Sequence, residues 1–168
     1  MSNPNTEYQE ALEKVRDLIK GIETAMLTTV TPEGLVSRPM KTQEVEFDGD
    51  LWFLTMKDTD KFLELRHNPN VNVSYVGKSY VSIRGKAELV EDRGKIKEFW
   101  NPAYAAFLDT TSDDPNLVLI RVEAEAAEYW ETGNKAKLMK RMLARLTGHD
   151  ASHSEVNQTL DLEQEKTE

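Results

Sequence analysis

The segment Phe53-Leu54-Thr55-Met56-Lys57-Asp58-Thr59-Asp60-Lys61 gathers the residue types that hold an oxyanion: two hydroxyls, a lysine, and Asp58 or Thr59 placed to cap a helix start. Helix N-termini carry unsatisfied N–H groups and a partial positive charge. Backbone amides, Thr55, Thr59 and Lys61 could therefore converge on a phosphate. Arg38, in Ser37-Arg38-Pro39-Met40, could complete the cage, because its planar fork presents paired donors to phosphate oxygens. Asp58 and Asp60 oppose an anion unless they point outward or serve as the cap. The same residues also have an ordinary reading. Thr59 is then an N-cap, Lys61 a solvated lysine, and Arg38 beside Pro39 an edge-strand charge that blocks aggregation. Spacing alone leaves both readings open.

The surrounding pattern defines what must position these groups. Tyr8, Leu12, Val15, Leu18 and Ile19 fall at helical spacing between Asn5 and Ile19, an amphipathic helix expected to lid one end of a sheet. Ala25 to Val30 is β-prone and runs into Thr31-Pro32-Glu33-Gly34, a turn signal. The return strand is expected from Leu35 to Phe47, with Pro39 marking an edge, a bulge or a break. Asp48-Gly49-Asp50 makes a second turn into a strand from Leu51 to Met56, and a helix follows until Asn68-Pro69. Strands are expected over Val71 to Val76, Tyr80 to Val90 and Leu117 to Trp130. A helical stretch lies around Lys95 to Trp100, broken by Pro102, and a basic amphipathic helix over Lys135 to Leu146 closes the domain. Antiparallel strands of this number, with helices at the margins, predict a mainly β fold closed into a barrel. The domain is expected to cover residues 1–148, followed by a disordered acidic tail at 149–168.

Bulk properties narrow the function. The 168 residues are 39% hydrophobic and 30% charged, with no cysteine. One soluble domain fits those values, while disulfides, thiolate metal sites and thiol catalysis are excluded. The formal charge is −9, of which residues 150–168 carry −5. No broad basic field remains for nucleic acid. No apolar run reaches the length of a membrane span, and the first residues lack a signal-peptide pattern, so a cytoplasmic protein without membrane or nucleic-acid partners is expected. His67 ends a helix, and His149 and His153 border the tail. None of the three has a catalytic setting.

The order of several short motifs resembles a known family. These are Met26-Leu27-Thr28-Thr29 before a glycine turn, Ser37-Arg38-Pro39-Met40, Leu51-Trp52-Phe53-Leu54-Thr55, Asp60-Lys61, Asn68-Pro69 with Val71 to Tyr75, Tyr80-Val81-Ser82-Ile83-Arg84-Gly85, Trp100-Asn101-Pro102, Asp113-Asp114-Pro115 and Glu128-Tyr129-Trp130. No single motif decides, but the collinear set, from about Glu7 to about Leu146, resembles the pyridoxamine 5'-phosphate oxidase-like FMN-binding split barrels, in their general stress protein 26 branch. The resemblance implies a homodimer with FMN at the interface. It implies that Arg38 and Lys61 contact the FMN phosphate, with Thr55 and Thr59 in the same cradle. Backbone around Pro39, Met40, Phe53 and Leu54 would border the isoalloxazine ring. Ser82 would lie on a strand facing the flavin, and Trp100 and Trp130 could approach the flavin of the partner chain. Either tryptophan could equally be packing.

True pyridoxamine phosphate oxidases carry an Arg-any-His element near the C-terminus, and no arginine here stands two residues before a histidine. Oxidation of pyridoxamine phosphate is therefore not expected. The resemblance implies instead a flavin-dependent oxidoreductase of unknown substrate, since FMN itself carries electrons while the protein supplies position and electrostatics. The alternatives are a non-catalytic flavin carrier or stress sensor, and a pure interaction module using its acidic tail. FAD or deazaflavin could replace FMN. Haem is disfavoured by the scarcity of well-placed histidines.

Overall fold

The computed structural model describes residues 4–43, 46–131 and 157–163. Helix α1 (Pro4–Ile19) precedes the hairpin β1 (Thr24–Thr31) and β2 (Gly34–Lys41), then β3 (Asp50–Met56) and α2 (Asp60–His67). Strands β4 (Asn70–Val76) and β5 (Ser79–Val90) form a second hairpin, followed by α3 (Arg93–Phe99), α4 (Pro102–Leu108), β6 (Leu117–Glu131) and β7 (Asn157–Asp161). Among the described residues all strand pairings are antiparallel, in the order β2-β1-β4-β5-β6-β3, with β7 also on β6. The edge strands β2 and β3 touch without forming a ladder. The expected mainly β architecture is therefore present as a split barrel, a sheet curled until its edges approach but do not bond.

Burial follows the pleat. Leu27, Val73, Ile83 and Ala127 have no exposed surface, and together with Met40, Phe53 and Tyr129 they fill the barrel. Successive residues of a strand face opposite sides. On β1, β2, β4 and β5 the alternate set, including Met26, Pro39, Ser74 and Ser82, therefore lies on the outer face. The apolar side of α1, Ala11, Leu12 and Val15, closes the same core. A second cluster lies under α3 and α4, where Leu54, Ile96, Tyr104, Leu117 and Leu119 pack together.

Local chemistry explains the turns and boundaries. Gly34 and Gly49 take φ of 124° and 111°, a region nearly closed to residues with a Cβ. The β2 strand stops at Lys41 rather than reaching Phe47, because Lys41 pairs with Thr24 and β1 offers no partner beyond it. Pro39 sits on this edge strand, where its missing N–H breaks no interior ladder.

Two elements were not expected. Pro102 does not simply break a helix but begins α4, with the Asn101 side chain accepting from the Ala103 N–H at 2.9 Å. Residues 157–161, within the segment expected to be disordered, form β7, so that expectation fails for them. Strand β6 explains how. It pairs with β5 along one edge, while the other edge carries β3 opposite Leu117 to Glu123 and then β7 opposite Ala126 to Trp130. The helix expected over 135–146 lies outside the described residues, as do His149 and His153. No helix among the described residues is long and apolar enough to cross a membrane.

Candidate functional site

Arg38 stands opposite Leu27 on the β1–β2 ladder, so its stem leaves from the core side of the sheet at the split edge. Two residues from Leu27, Thr29 points to the same side and is fully buried. Helix α2 lies over this edge and presents Lys61 and Glu64, which are three apart and share one helix face. Arg38, Glu64 and Thr29 meet in hydrogen bonds, and Lys61 lies near enough to feel the charges of Arg38 and Glu64. The Arg38 fork holds the Glu64 carboxylate end-on, Nη1 to Oε2 at 2.6 Å and Nη2 to Oε1 at 2.8 Å. The Thr29 hydroxyl donates to the same Oε2 at 2.8 Å and accepts from Arg38 Nη1 at 3.3 Å.

The electrostatics follow from this geometry. The Arg38 hydrogen bonds hold the Glu64 carboxyl below the usual carboxylate range, with Thr29 adding to the effect against the opposing influence of burial. Lys61 is pushed below the ordinary lysine value, first by burial and then by the Arg38 charge, while Glu64 pulls it back up. A lysine held in this way gains from an incoming anion. Asp58 and Asp60 are both exposed, which removes the objection that they crowd the site, although the Asp60 charge still acts on Arg38.

The remaining sequence candidates are distributed around the split. Thr59 occupies the N-cap position of α2, but its hydroxyl donates backwards to the Met56 carbonyl at 2.8 Å instead of capping the helix. Thr55 and Phe53 are buried along β3, and Leu54 faces the second cluster. Met40 is 1% exposed, so only its backbone is available at the edge. Pro39 and Ser82 lie on the outer face, where the Ser82 hydroxyl accepts from Asn72 Nδ2 at 2.8 Å and Asn72 in turn accepts from Ser74. Trp130 is opposite Tyr80 at the far end of that face. Trp100 packs on the second cluster, 6.1 Å from the Tyr104 ring. Sequence spacing thus brought together Arg38 and Lys61, and the two tryptophans sit in different settings.

Glu64 and Thr29 were missed. The signal for Glu64 was its position one helical turn after Lys61. For Thr29 it was strand alternation, which turns it inward beside Leu27. A separate cavity of about 500 Å³, lined by residues including Tyr8, Asp50, Lys86, Arg121, Glu123 and Glu163, shares none of these side chains. Among the described residues no group of His, Asp and Glu side chains is arranged to hold a metal ion.

The sequence pattern of the family described as "Pyridoxamine 5'-phosphate oxidase like" matches residues 10–152. The chain belongs to this family. Within the pyridoxamine 5'-phosphate oxidase-like proteins, it is 29% identical over 134 residues to general stress protein 26 of Bacillus subtilis, covering 76% of this chain and 93% of that one. The crystal structure of general stress protein 26 from Bacillus anthracis superposes with a TM-score of 0.63 at 29% identity, over 70% of this chain and 92% of its own. A general stress FMN/FAD binding protein from Xanthomonas citri is similar to the same degree, with a TM-score of 0.65 at 29% identity, over 76% of this chain and 92% of that one.

Proposed function

We propose that this chain binds FMN, with the phosphate at Arg38 and Lys61, and acts as a flavin-dependent oxidoreductase in the cytoplasm. The observation that carries the reading is the nearness of these two cations, one on β2 and one on α2, where the Arg38 charge acts on the partly buried Lys61. Their donor set suits a phosphate: a planar fork with donors to spare, and a lysine whose charge is under-compensated. The similarity to a general stress protein that binds FMN/FAD supports the same ligand class.

In this reading the flavin supplies the electron chemistry, and the protein binds, orients and shields it. Thr55 and Thr59 flank the phosphate end. The backbone of Pro39, Met40, Phe53 and Leu54 borders the ring, and Ser82 faces it from the outer side of β5. A second copy of the chain covers the outer face, where Met26, Leu35, Val76 and Tyr80 are exposed, and brings Trp100 and Trp130 towards the flavin. Large apolar groups on one face of a sheet favour association, because burying them removes apolar area from water.

The test is a titration of the purified protein with FMN, FAD and riboflavin, followed by visible absorption and flavin fluorescence. FMN is expected to bind more tightly than riboflavin, by the contribution of the phosphate. Binding of no flavin would overturn the reading. Oxidation of a nicotinamide cofactor by the FMN-loaded protein would separate turnover from simple carriage.

A further inference from the structure

The Arg38 guanidinium has five N–H donors. Nη1 donates to Glu64 Oε2 and to the Thr29 hydroxyl, which are themselves hydrogen-bonded to each other, and Nη2 donates to Glu64 Oε1. Among the described residues, Nε–H and the second Nη2–H remain. These two point from the same side edge of the guanidinium plane, the geometry that accepts two oxygens of one anion. Glu64 is itself fixed by three hydrogen bonds, from Arg38 twice and from the buried Thr29, and its side chain is only 14% exposed against 27% for Arg38. Moving Glu64 aside would break its three hydrogen bonds and leave the buried Thr29 hydroxyl without its acceptor.

From this arrangement we infer that Glu64 is a positioning residue: it grips the end of Arg38 so that the side edge, Nε and Nη2, is presented to the ligand phosphate. The inference rests on the proposed function, which supplies the phosphate. Glu64 thereby orders its partner in advance. It freezes the rotation of a long side chain before the ligand arrives, so less conformational freedom is lost on binding. The carboxylate is therefore not a rival for the phosphate.

The experiment measures FMN and riboflavin affinities for the wild type, Glu64→Ala, Glu64→Gln, and Glu64→Ala in an Arg38→Ala background, with circular dichroism to establish folding. In Glu64→Ala the preference for FMN over riboflavin should fall about tenfold, the scale of one charge-assisted hydrogen bond. Riboflavin affinity itself should be unchanged. Glu64→Gln keeps an acceptor for Arg38 and should recover most of the preference. In the Arg38→Ala background the Glu64 substitution should have no further effect. A folded Glu64→Ala that keeps or increases the preference would overturn the inference while leaving the flavin reading intact. Equal losses in Glu64→Ala and Glu64→Gln would also overturn it, by assigning the effect to charge instead of orientation. A wild type that binds riboflavin as well as FMN would overturn the phosphate site and the inference together.

Discussion

Arg38 and Glu64 are 26 residues apart in sequence, yet their side chains meet end-on, joining edge strand β2 to helix α2. Folding must bring the hairpin and the helix together before either residue has its partner. The site is therefore a product of the tertiary fold.

If the phosphate lies at this junction, Arg38→Ala and Lys61→Ala should each weaken FMN binding by about 1.5–3 kcal/mol, the range of a charged hydrogen bond. Riboflavin affinity should stay the same in both variants. Fluorescence titration at fixed ionic strength checks this, and unchanged FMN affinity in both variants would place the phosphate elsewhere.

The depressed Glu64 carboxyl ties stability to pH. Arg38 holds the folded-state value below that of an unfolded glutamate, near about 4.3. Its contribution is then present above about pH 4.3 and lost as pH falls through the lower folded value. Urea unfolding across acidic pH should show a shallower loss of stability in Glu64→Gln than in the wild type. Parallel curves would mean that the pair does not couple folding to protons.

Tyr104 is fully buried in the second cluster, and its hydroxyl accepts from Gln43 Nε2 at 2.6 Å while lying 3.2 and 3.3 Å from the Lys41 and Thr42 carbonyls. Helix α4 is thus fastened to the segment that leaves β2. Tyr104→Phe should cost about 1–3 kcal/mol, because it leaves buried polar groups without partners. A urea midpoint equal to that of the wild type would show that this fastening carries no stability.

Gly85 follows the register shift between β5 and β6, and a Cβ there would stand 2.3 Å from the Glu123 carbonyl oxygen. The obstacle is backbone, which cannot rotate away. Gly85→Ala should destabilise by about 1–3 kcal/mol or more, read as a fall in thermal midpoint. A fully wild-type midpoint would mean the strands part there at little cost.

Val76 is 65% exposed and pairs with Tyr80 on the outer face. If that face meets a second copy, Val76→Glu should convert a dimer to monomer in sedimentation while leaving the fold intact. A dimer that survives the added charge would move the contact to another surface.

Much of this fold was legible because its signals are local. Turn glycines, the Asn68-Pro69 stop and the alternation of β1 and β5 placed most elements to within a few residues. Helix α4 was missed because Pro102 was read as a breaker, although Asn before Pro is also how a helix starts. Strand β7 was hidden by acidic composition, since a strand that completes the edge of another needs few apolar residues of its own. Arg38 and Lys61 were legible by residue type and motif order. Glu64 and Thr29 were not, because they meet across 35 residues of sequence and neither carries a signal until the barrel curls.

The division of β6 between two successive partners bears on how the chain can be trimmed. Shortening it to remove the acidic end would also remove Asn157 to Asp161 and uncover the main-chain donors and acceptors from Ala126 to Trp130. An open row of that kind invites strands from other molecules. A shortened chain would then become more prone to self-association, although the part removed is acidic, with a net charge of −5 over residues 150–168.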